Sequence, residues 1–408
     1  MAETHVNTLV STPGGERHAS WLELFFDLVA VAGVAQLAHL LHGEPGWRDV
    51  GLYIVLYLAF WTNWLSLTLY GNVAGERTRT RILLIGMFGL TVMAAAVHGV
   101  QQGDRGTAFA IAYAVTRFIG GNAFGDRREV VVDWPTVTFT AGAVPWTVSI
   151  FVHGPARPWL WALGVVMDLY VTFAFSREHL LRTLRERAEH RRTREQGRAA
   201  APESRREARG RDLAVVETDT EHLAERLGLF SIIVLGEGVY QIVEAASDAH
   251  WDRGLYATVA GAFALLVLLW SLSLSRGRGG VPCLGAASPP TRVLLGLHCF
   301  VTGAVAALAA GVGVLVEHAD GGLPHQTAWM MATALGAYLL VATGLAHWTR
   351  VGSLRRLLAA ALPSLAVCAA VGGFDGAGRR PAGLVWLLVL ALVWFSAGMR
   401  RYDSPKSS

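Results

Sequence analysis

The chain has 408 residues, of which 53% are hydrophobic and 16% charged, and its mean hydropathy is +0.39. This composition excludes a soluble protein of such length and predicts a polytopic membrane protein. The net charge of +4 comes almost wholly from arginines in short loops. It therefore reports membrane topology and excludes a nucleic-acid-binding surface.

The first predicted span, residues 21–42, has the sequence WLELFFDLVAVAGVAQLAHLLH and is long enough to cross a bilayer. It carries Glu23 and Asp27, which are four residues apart and so lie on one face of a helix. A carboxylate at membrane depth costs about 2.5–3.5 kcal/mol on insertion scales, and such residues usually face a bundle interior and mark function. The alternative for Glu23 is an interfacial position, where it caps the helix or pairs with an arginine.

Eleven further apolar segments bring the predicted number of spans to twelve. They are residues 50–71, 82–101, 106–124, 134–153, 158–176, 222–246, 254–275, 292–316, 327–348, 354–372 and 382–399. Arginines concentrate in alternate loops, which predicts that both termini are cytoplasmic. The terminal segments, 1–20 and 400–408, are then cytoplasmic, and the first of them lacks the features of a cleaved signal peptide.

An Arg/Glu-rich stretch, residues 177–213, predicts a solvated cytoplasmic linker. It separates two halves, 21–176 and 214–399, that share short motifs in the same order. GLY recurs in the second span of each half, WLSLTLYG recurs as WSLSLSRG, and TRILL recurs as TRVLL. The sequence therefore predicts an all-α fold of two six-helix repeats with the same orientation, related by an axis along the membrane normal.

The seventh span is also charged. Glu237 lies near its middle, Arg226 lies eleven residues earlier, or about 16 Å along the helix axis, and Gln241 continues the same face. A glutamate at this depth is either paired with a residue on another helix or kept protonated by loss of hydration, and both states suit a general acid or a proton-coupling site. The alternative is a glutamate that only joins helices through hydrogen bonds.

Other polar residues are predicted inside the membrane. Arg117, one turn after Tyr113, is expected to pair with one of the acids, because an unpaired guanidinium at that depth is costly. Asp168 has either a functional or a purely structural role. The deepest tryptophans either pack between helices or line a cavity for a lipophilic molecule; they are Trp61, Trp64, Trp270 and Trp394.

The three cysteines, Cys283, Cys299 and Cys368, lack the spacing of a disulfide framework or a metal site. The sequence shows no nucleotide-binding loop, no metal-ligand cluster and no Ser/His/Asp arrangement. No cofactor and no metal are therefore expected.

Three blocks resemble the bacterial low-temperature-requirement protein A family (LtrA): ELFFDLV at 23–29, AYAVTRF at 112–118 and ERLGLFSIIVLGE at 225–237. The resemblance spans essentially the whole chain and implies a multi-pass protein of the bacterial inner membrane. It also implies, through actinobacterial relatives, a membrane terpene cyclase. The characteristic polar positions of the family correspond to Glu23, Asp27, Arg117, Glu225, Arg226 and Glu237.

Two classes of function fit these residues. The first is a terpene cyclase-like membrane enzyme, in which an intramembrane carboxylic acid protonates a lipophilic isoprenoid without a metal. Glu23, Asp27 and Glu237 are the predicted catalytic acids, and aromatic rings stabilise the resulting carbocation. The predicted pocket residues and charge partners are Phe25, Phe26, Trp64, Tyr113, Arg117, Glu225, Arg226 and Gln241.

The second class is a proton-coupled secondary transporter, for which a duplicated bundle with membrane carboxylates is a common plan. A transporter site opens to both sides of the membrane, whereas a cyclase pocket is closed to water and opens to lipid or to one face. Aromatic richness and the family resemblance favour the enzyme over the transporter, and a structural or sensory membrane protein comes third. The expected partners are the lipid bilayer and a lipophilic small molecule, and the sequence makes no prediction of the oligomeric state.

Overall fold

Long helices form most of the described chain. The computed structural model describes residues 19–75, 78–125, 129–131, 134, 141–174, 214–216, 218–282, 289–373 and 380–400. In chain order its helices are α1 (Trp21–Ala38), α2 (Trp47–Ala74), α3 (Thr80–Gln101), α4 (Gly106–Gly125), α5 (Ala143–Ser149), α6 (Arg157–Ala174), α7 (Thr220–Asp248), α8 (Arg253–Trp270), α9 (Thr291–Glu317), α10 (His325–Trp348), α11 (Leu354–Gly373) and α12 (Pro381–Arg400). A 3₁₀ turn, His39–Leu41, extends α1, and a π-helical segment, Ser271–Ser275, extends α8.

The predicted spans can be compared with these helices. Nine of the described helices are long and apolar enough to cross a membrane, and α4, α5 and α6 are not among those nine. Helix α5 covers only seven residues of the span predicted at 134–153, and 135–140 lie outside the described residues. The prediction of a multi-pass helical membrane protein is confirmed, whereas the number twelve stays a prediction.

Two three-residue strands accompany the helices. Strands β1 (Glu129–Val131) and β2 (Ala214–Val216) pair in parallel, with Val130 opposite Val215. Since β1 follows α4 and β2 precedes α7, this pairing connects the two halves of the chain. The predicted linker, 177–213, and the segments 1–18 and 401–408 lie outside the described residues.

Helices α1 and α7 pack side by side, and they run in the same direction because Glu23 lies opposite His222 and Asp27 lies opposite Arg226. Each begins with a side-chain cap: Ser20 and Glu23 form a capping box on α1, and Asp219 accepts hydrogen bonds from the first amides of α7. An ion pair between Asp27 and Arg226 joins the two helices one to two turns further along. The starts of α1 and α7 therefore lie on the same face of the bundle.

Helix α9 lies at the centre of the bundle, where 83% of its most apolar stretch is buried. It contacts α2 in the antiparallel direction: the Tyr53 hydroxyl donates to the Gly303 carbonyl at 2.7 Å, and the Trp61 indole donates to His298 Nδ1 at 3.2 Å. These bonds satisfy polar groups that would otherwise be buried without partners. They also attach the first half of the chain to the second.

The two halves use the same pairs of neighbouring helices. In each half the first helix packs on the third, the third on the fourth, the fourth on the fifth, and the sixth on both the fifth and the second. The contacts between α1 and α7 and between α2 and α9 then bring the halves together.

Candidate functional site

A buried charge network joins the first two turns of α1 to those of α7. Arg226 donates to Asp27 through two nitrogens, Nε to Oδ2 at 2.9 Å and Nη2 to Oδ1 at 2.7 Å, and its Nη1 lies 3.2 Å from Glu23 Oε1. His222 Nε2 lies 3.4 Å from the same Glu23 oxygen. The Trp64 indole donates to Asp27 Oδ1 at 2.9 Å. Because Asp27 and Arg226 are at most 1% exposed, this is a bidentate ion pair shielded from water.

Glu23 makes contacts both within its own helix and with Arg226. Its carboxylate closes the capping box with Ser20, accepting from the Ser20 amide at 2.8 Å, and also pairs with Arg226. The cap and the arginine pair of that alternative are therefore both present, whereas the interfacial position stays a prediction. Asp27, one turn deeper, faces the bundle interior, as its position in the sequence predicts.

A layer of aromatic rings lies directly behind this network. Trp64 contacts Phe230 with ring centroids 4.2 Å apart and stacks on His298 at 6.0 Å. His298 is equally close to Trp61, whose ring centroid is also 6.0 Å away, and the two tryptophan rings lie 6.2 Å from each other. The second nitrogen of His298 lies 3.0 Å from the Leu227 carbonyl, so both of its ring nitrogens have partners.

A large apolar cavity lies on the other side of this layer. Its volume is about 830 Å³, which is within the range of ligand pockets, roughly 300–1,000 Å³. It begins near Trp47 and Trp329, whose rings meet edge to face at 5.6 Å, and reaches Trp61, fourteen residues along α2 or about 21 Å deeper. Helices α2, α6, α9 and α10 form most of its walls, and Trp134, which lies between β1 and α5, adds to them. The other aromatic lining residues are Trp47, Tyr53, Tyr57, Trp61, Phe173, Phe300 and Trp329.

A second ion pair lies beside the deep end of the cavity. Asp168 accepts from Arg117 Nη2 at 3.2 Å, from the Tyr113 hydroxyl at 3.4 Å and from the Gly142 amide at 3.2 Å. Arg117 also donates to Ser66 at 3.0 Å. Asp168 is thus the partner of Arg117, which the sequence left open.

The second ion pair is reached through a small pocket. Tyr113 and Asp168 line it, and it shares four wall residues with the large cavity; they are Leu58, Thr62, Trp134 and Leu169. Asp168 is therefore a buried acid next to this cavity. Glu23, Asp27 and Glu237 do not line it.

Glu237 lies apart from both ion pairs. It is half-buried on α7 and accepts a hydrogen bond from Gln241 at 2.8 Å, within the same helix. Arg226 is eleven residues away along the helix, or about 16 Å, and binds Asp27 instead. The structure thus brings Glu23 and Asp27 together but leaves Glu237 outside their network.

The remaining predicted pocket residues take different positions. Phe26 is buried, and its ring centroid lies 5.9 Å from the Arg226 guanidinium. Phe25 is 53% exposed on the outer surface of the bundle, and Glu225 is exposed, 4.0 Å from His222. Among the deep tryptophans Trp61 lines the cavity, whereas Trp270 and Trp394 are half-exposed on the surface of the bundle.

Sequence reasoning missed most of the cavity residues. Tyr53, Tyr57 and Phe173 belong to apolar spans in which every aromatic residue looks alike, and only the tertiary fold selects those that line the cavity. A detectable signal existed for His298, because a histidine inside a predicted span is a polar residue that needs partners.

The fold and these sites define an integral membrane protein with buried interhelical ion pairs and an aromatic cavity of ligand size. The family model of the bacterial low temperature requirement A protein (LtrA) matches residues 18–397. The chain belongs to that family.

One relative is an uncharacterized protein of Rhizobium meliloti (strain 1021). It is 24% identical over 289 residues, which are 68% of this chain and 63% of the relative. The chain thus spans less than two thirds of that relative's length. No solved structure matches the chain.

Proposed function

We propose that this protein is an integral membrane enzyme that binds a lipophilic isoprenoid and cyclises it by protonation. The observation that carries the proposal is the apolar cavity of about 830 Å³, walled by aromatic rings and ending beside the buried Asp168. An apolar wall binds a hydrocarbon chain by excluding water, and aromatic faces stabilise carbocations. An acid-initiated reaction also needs a proton donor, which the narrow polar wall at one end of the cavity supplies.

The residues suggest the following sequence of steps. In this cycle Asp168 starts protonated, still hydrogen-bonded to Arg117, and gives its proton to an alkene or epoxide of the bound isoprenoid. A neighbouring double bond then attacks the resulting carbocation to close a ring. A proton lost from the carbon next to the final cation returns to Asp168, so the product is an isomer of the substrate. Arg117, Tyr113 and the Gly142 amide stabilise the carboxylate that exists between these two transfers.

Asp168 replaces the three predicted catalytic acids in this proposal. The carboxylates of Glu23 and Asp27 are bound to Arg226 behind the aromatic layer, so they cannot reach a ligand in the cavity. We propose that they hold α1 against α7. Glu237 bonds to Gln241 on α7, away from the cavity lining.

Product analysis tests this proposal. Wild-type protein, Asp168→Asn and the control Glu237→Gln are expressed in a host fed linear farnesyl and geranylgeranyl compounds, and extracts are searched for cyclic isomers of unchanged mass. We expect a cyclic isomer from the wild type and from Glu237→Gln, and a loss of about 100-fold or more in Asp168→Asn. An isomer lost only in Glu237→Gln would refute the role of Asp168. No isomer from well-folded wild type would refute the cyclase.

One observation favours the second candidate, a proton-coupled transporter. The ion pair between Asp27 and Arg226 joins the two halves of the chain inside the membrane. If Asp27 released Arg226, the two halves would be free to move against each other. Proton flux into proteoliposomes tests it. A flux present in wild type and abolished in both Asp27→Asn and Glu237→Gln would support the transporter.

We also propose that the protein has twelve membrane spans in two repeats and that both of its termini are cytoplasmic. Twelve spans in two repeats of one orientation are supported by the shared pairs of neighbouring helices and by the parallel α1 and α7. The arginine-rich alternate loops support cytoplasmic termini in a bacterial inner membrane.

A further inference from the structure

Trp134 stands at the junction of the two cavities. It lines both the large apolar cavity and the small pocket of Tyr113 and Asp168. Its ring meets Trp61 edge to face at 5.7 Å and Phe173 at 6.1 Å. The side chain is therefore held by aromatic neighbours at the point where a ligand in the large cavity would come closest to Asp168.

The Trp134 indole nitrogen is a buried donor without an acceptor. Trp134 is 3% exposed, and its Nε1 has no hydrogen-bond partner. Leaving such a donor unpaired costs the free energy of its lost hydration, so buried indole nitrogens usually have an acceptor. Trp61, in the same wall, is different because its indole donates to His298.

The other polar groups of the deep wall are already satisfied. The Tyr57 hydroxyl bonds Thr302 at 2.7 Å, the Tyr53 hydroxyl bonds Gly303, and the Thr62 hydroxyl donates to the Leu58 carbonyl at 2.6 Å. A ligand that reaches this wall therefore meets apolar surface and the Trp134 donor. We propose that the ligand carries an uncharged acceptor oxygen, such as an epoxide, ether or carbonyl oxygen, that accepts a hydrogen bond from Trp134.

This inference rests on the proposed function and narrows its substrate class from isoprenoids in general to oxygenated ones. The bound oxygen lies beside Asp168, where an epoxide is the group most readily opened by a proton. The competing acceptor is a water molecule, since the small pocket offers about 10 Å³, room for about one water.

A pair of matched probes tests the inference. Affinities of the hydrocarbon β-farnesene and of its 10,11-epoxide are measured on the full-length protein in nanodiscs, and the epoxide-to-olefin affinity ratio is compared between variants. The two probes partition differently into lipid, but this difference is the same for every variant and cancels when the ratios are compared. We expect Trp134→Phe to lower the ratio about two- to tenfold, the worth of one hydrogen bond. Trp61→Phe, which removes a donor already bonded to His298, is the control and should leave the ratio unchanged.

Each outcome decides a different point. Equal ratios in wild type and Trp134→Phe would overturn the inference and favour the water, while lipophilic binding would stand. Binding of neither probe to wild type would overturn the proposed function as well. If Trp134→Phe does not fold, ultraviolet resonance Raman spectra of the wild type replace it. The indole N–H hydrogen-bond band should then shift with the epoxide and not with the olefin, and no difference would refute the inference.

Discussion

At the scale of single residues, buried ion pairs join α1 to the start of α7 and α4 to α6. The sequence correctly indicated that Asp27 and Arg117 need partners, because an isolated charge in hydrocarbon is costly. It could not name those partners, since Arg226 is 199 residues away from Asp27 along the chain. The cyclase hypothesis named Glu23, Asp27 and Glu237 as acids because of their predicted depth in the membrane. A linear sequence indicates that depth, but it does not show how far each acid lies from a cavity.

Arg226→Leu should strongly destabilise the protein. It leaves the Glu23 and Asp27 carboxylates buried without their guanidinium, and breaking a buried pair from one side costs about 3–5 kcal/mol. The measurement is thermal denaturation in detergent followed by size exclusion. Glu225→Gln, at the adjacent exposed position, is the control and should change stability by no more than about 0.5 kcal/mol. Equal stability of the two variants would mean that the network contributes nothing.

At the scale of elements, the contact of α5 with α6 places Asp168. A Cβ on Gly142 would overlap the Asp168 carboxyl and the Gly164 carbonyl, and one on Gly164 would lie 2.5 Å from the Trp146 ring. Small residues thus let the chain before α5 approach α6 closely enough for the Gly142 amide to reach Asp168. The sequence predicted an unbroken span at 134–153, because hydropathy does not show where a backbone turns to donate a hydrogen bond.

Gly142→Ala should impair both folding and the proposed reaction. The added methyl group displaces Asp168, so we expect a loss of about 1–3 kcal/mol in unfolding free energy and a lower yield of cyclic isomer. Gly236→Ala is the matched control because its Cβ meets no atom within 4 Å, and alanine is favoured over glycine in a helix by about 1 kcal/mol. Unchanged stability and product yield in Gly142→Ala would show that the close approach is unimportant.

At the scale of the whole molecule, the two halves build the cavity together. Helices α2 and α6 come from the first half, and α9 and α10 come from the second. The sequence predicted the helical membrane fold from composition and spacing, and aromatic richness suggested a lipophilic ligand. It could not select the cavity wall, since each helix presents aromatic residues on several faces and tertiary packing decides which of them face inward.

The parallel arrangement of α1 and α7 makes a prediction about orientation. The α1–α2 and α7–α8 loops should lie on one side of the membrane, so Arg48→Cys and His250→Cys in a cysteine-free background should react with an impermeant maleimide added to spheroplasts. Ser353→Cys, in an arginine-rich loop, should react only after lysis. Reaction of Arg48→Cys and His250→Cys from opposite sides would contradict the proposed repeat.

Ligand protection of α10 tests the central claim, that the aromatic cavity binds a lipophilic isoprenoid. Thr333 lines the cavity, whereas Leu340 on the same helix does not and is 59% exposed on the bundle surface. In a background with Cys283, Cys299 and Cys368 replaced by serine, Thr333→Cys and Leu340→Cys are alkylated by a lipophilic maleimide in nanodiscs, with and without geranylgeraniol. With the ligand at about ten times its dissociation constant, we predict about tenfold slower reaction at position 333 and no change at position 340. Equal rates at position 333 with and without ligand would contradict the account.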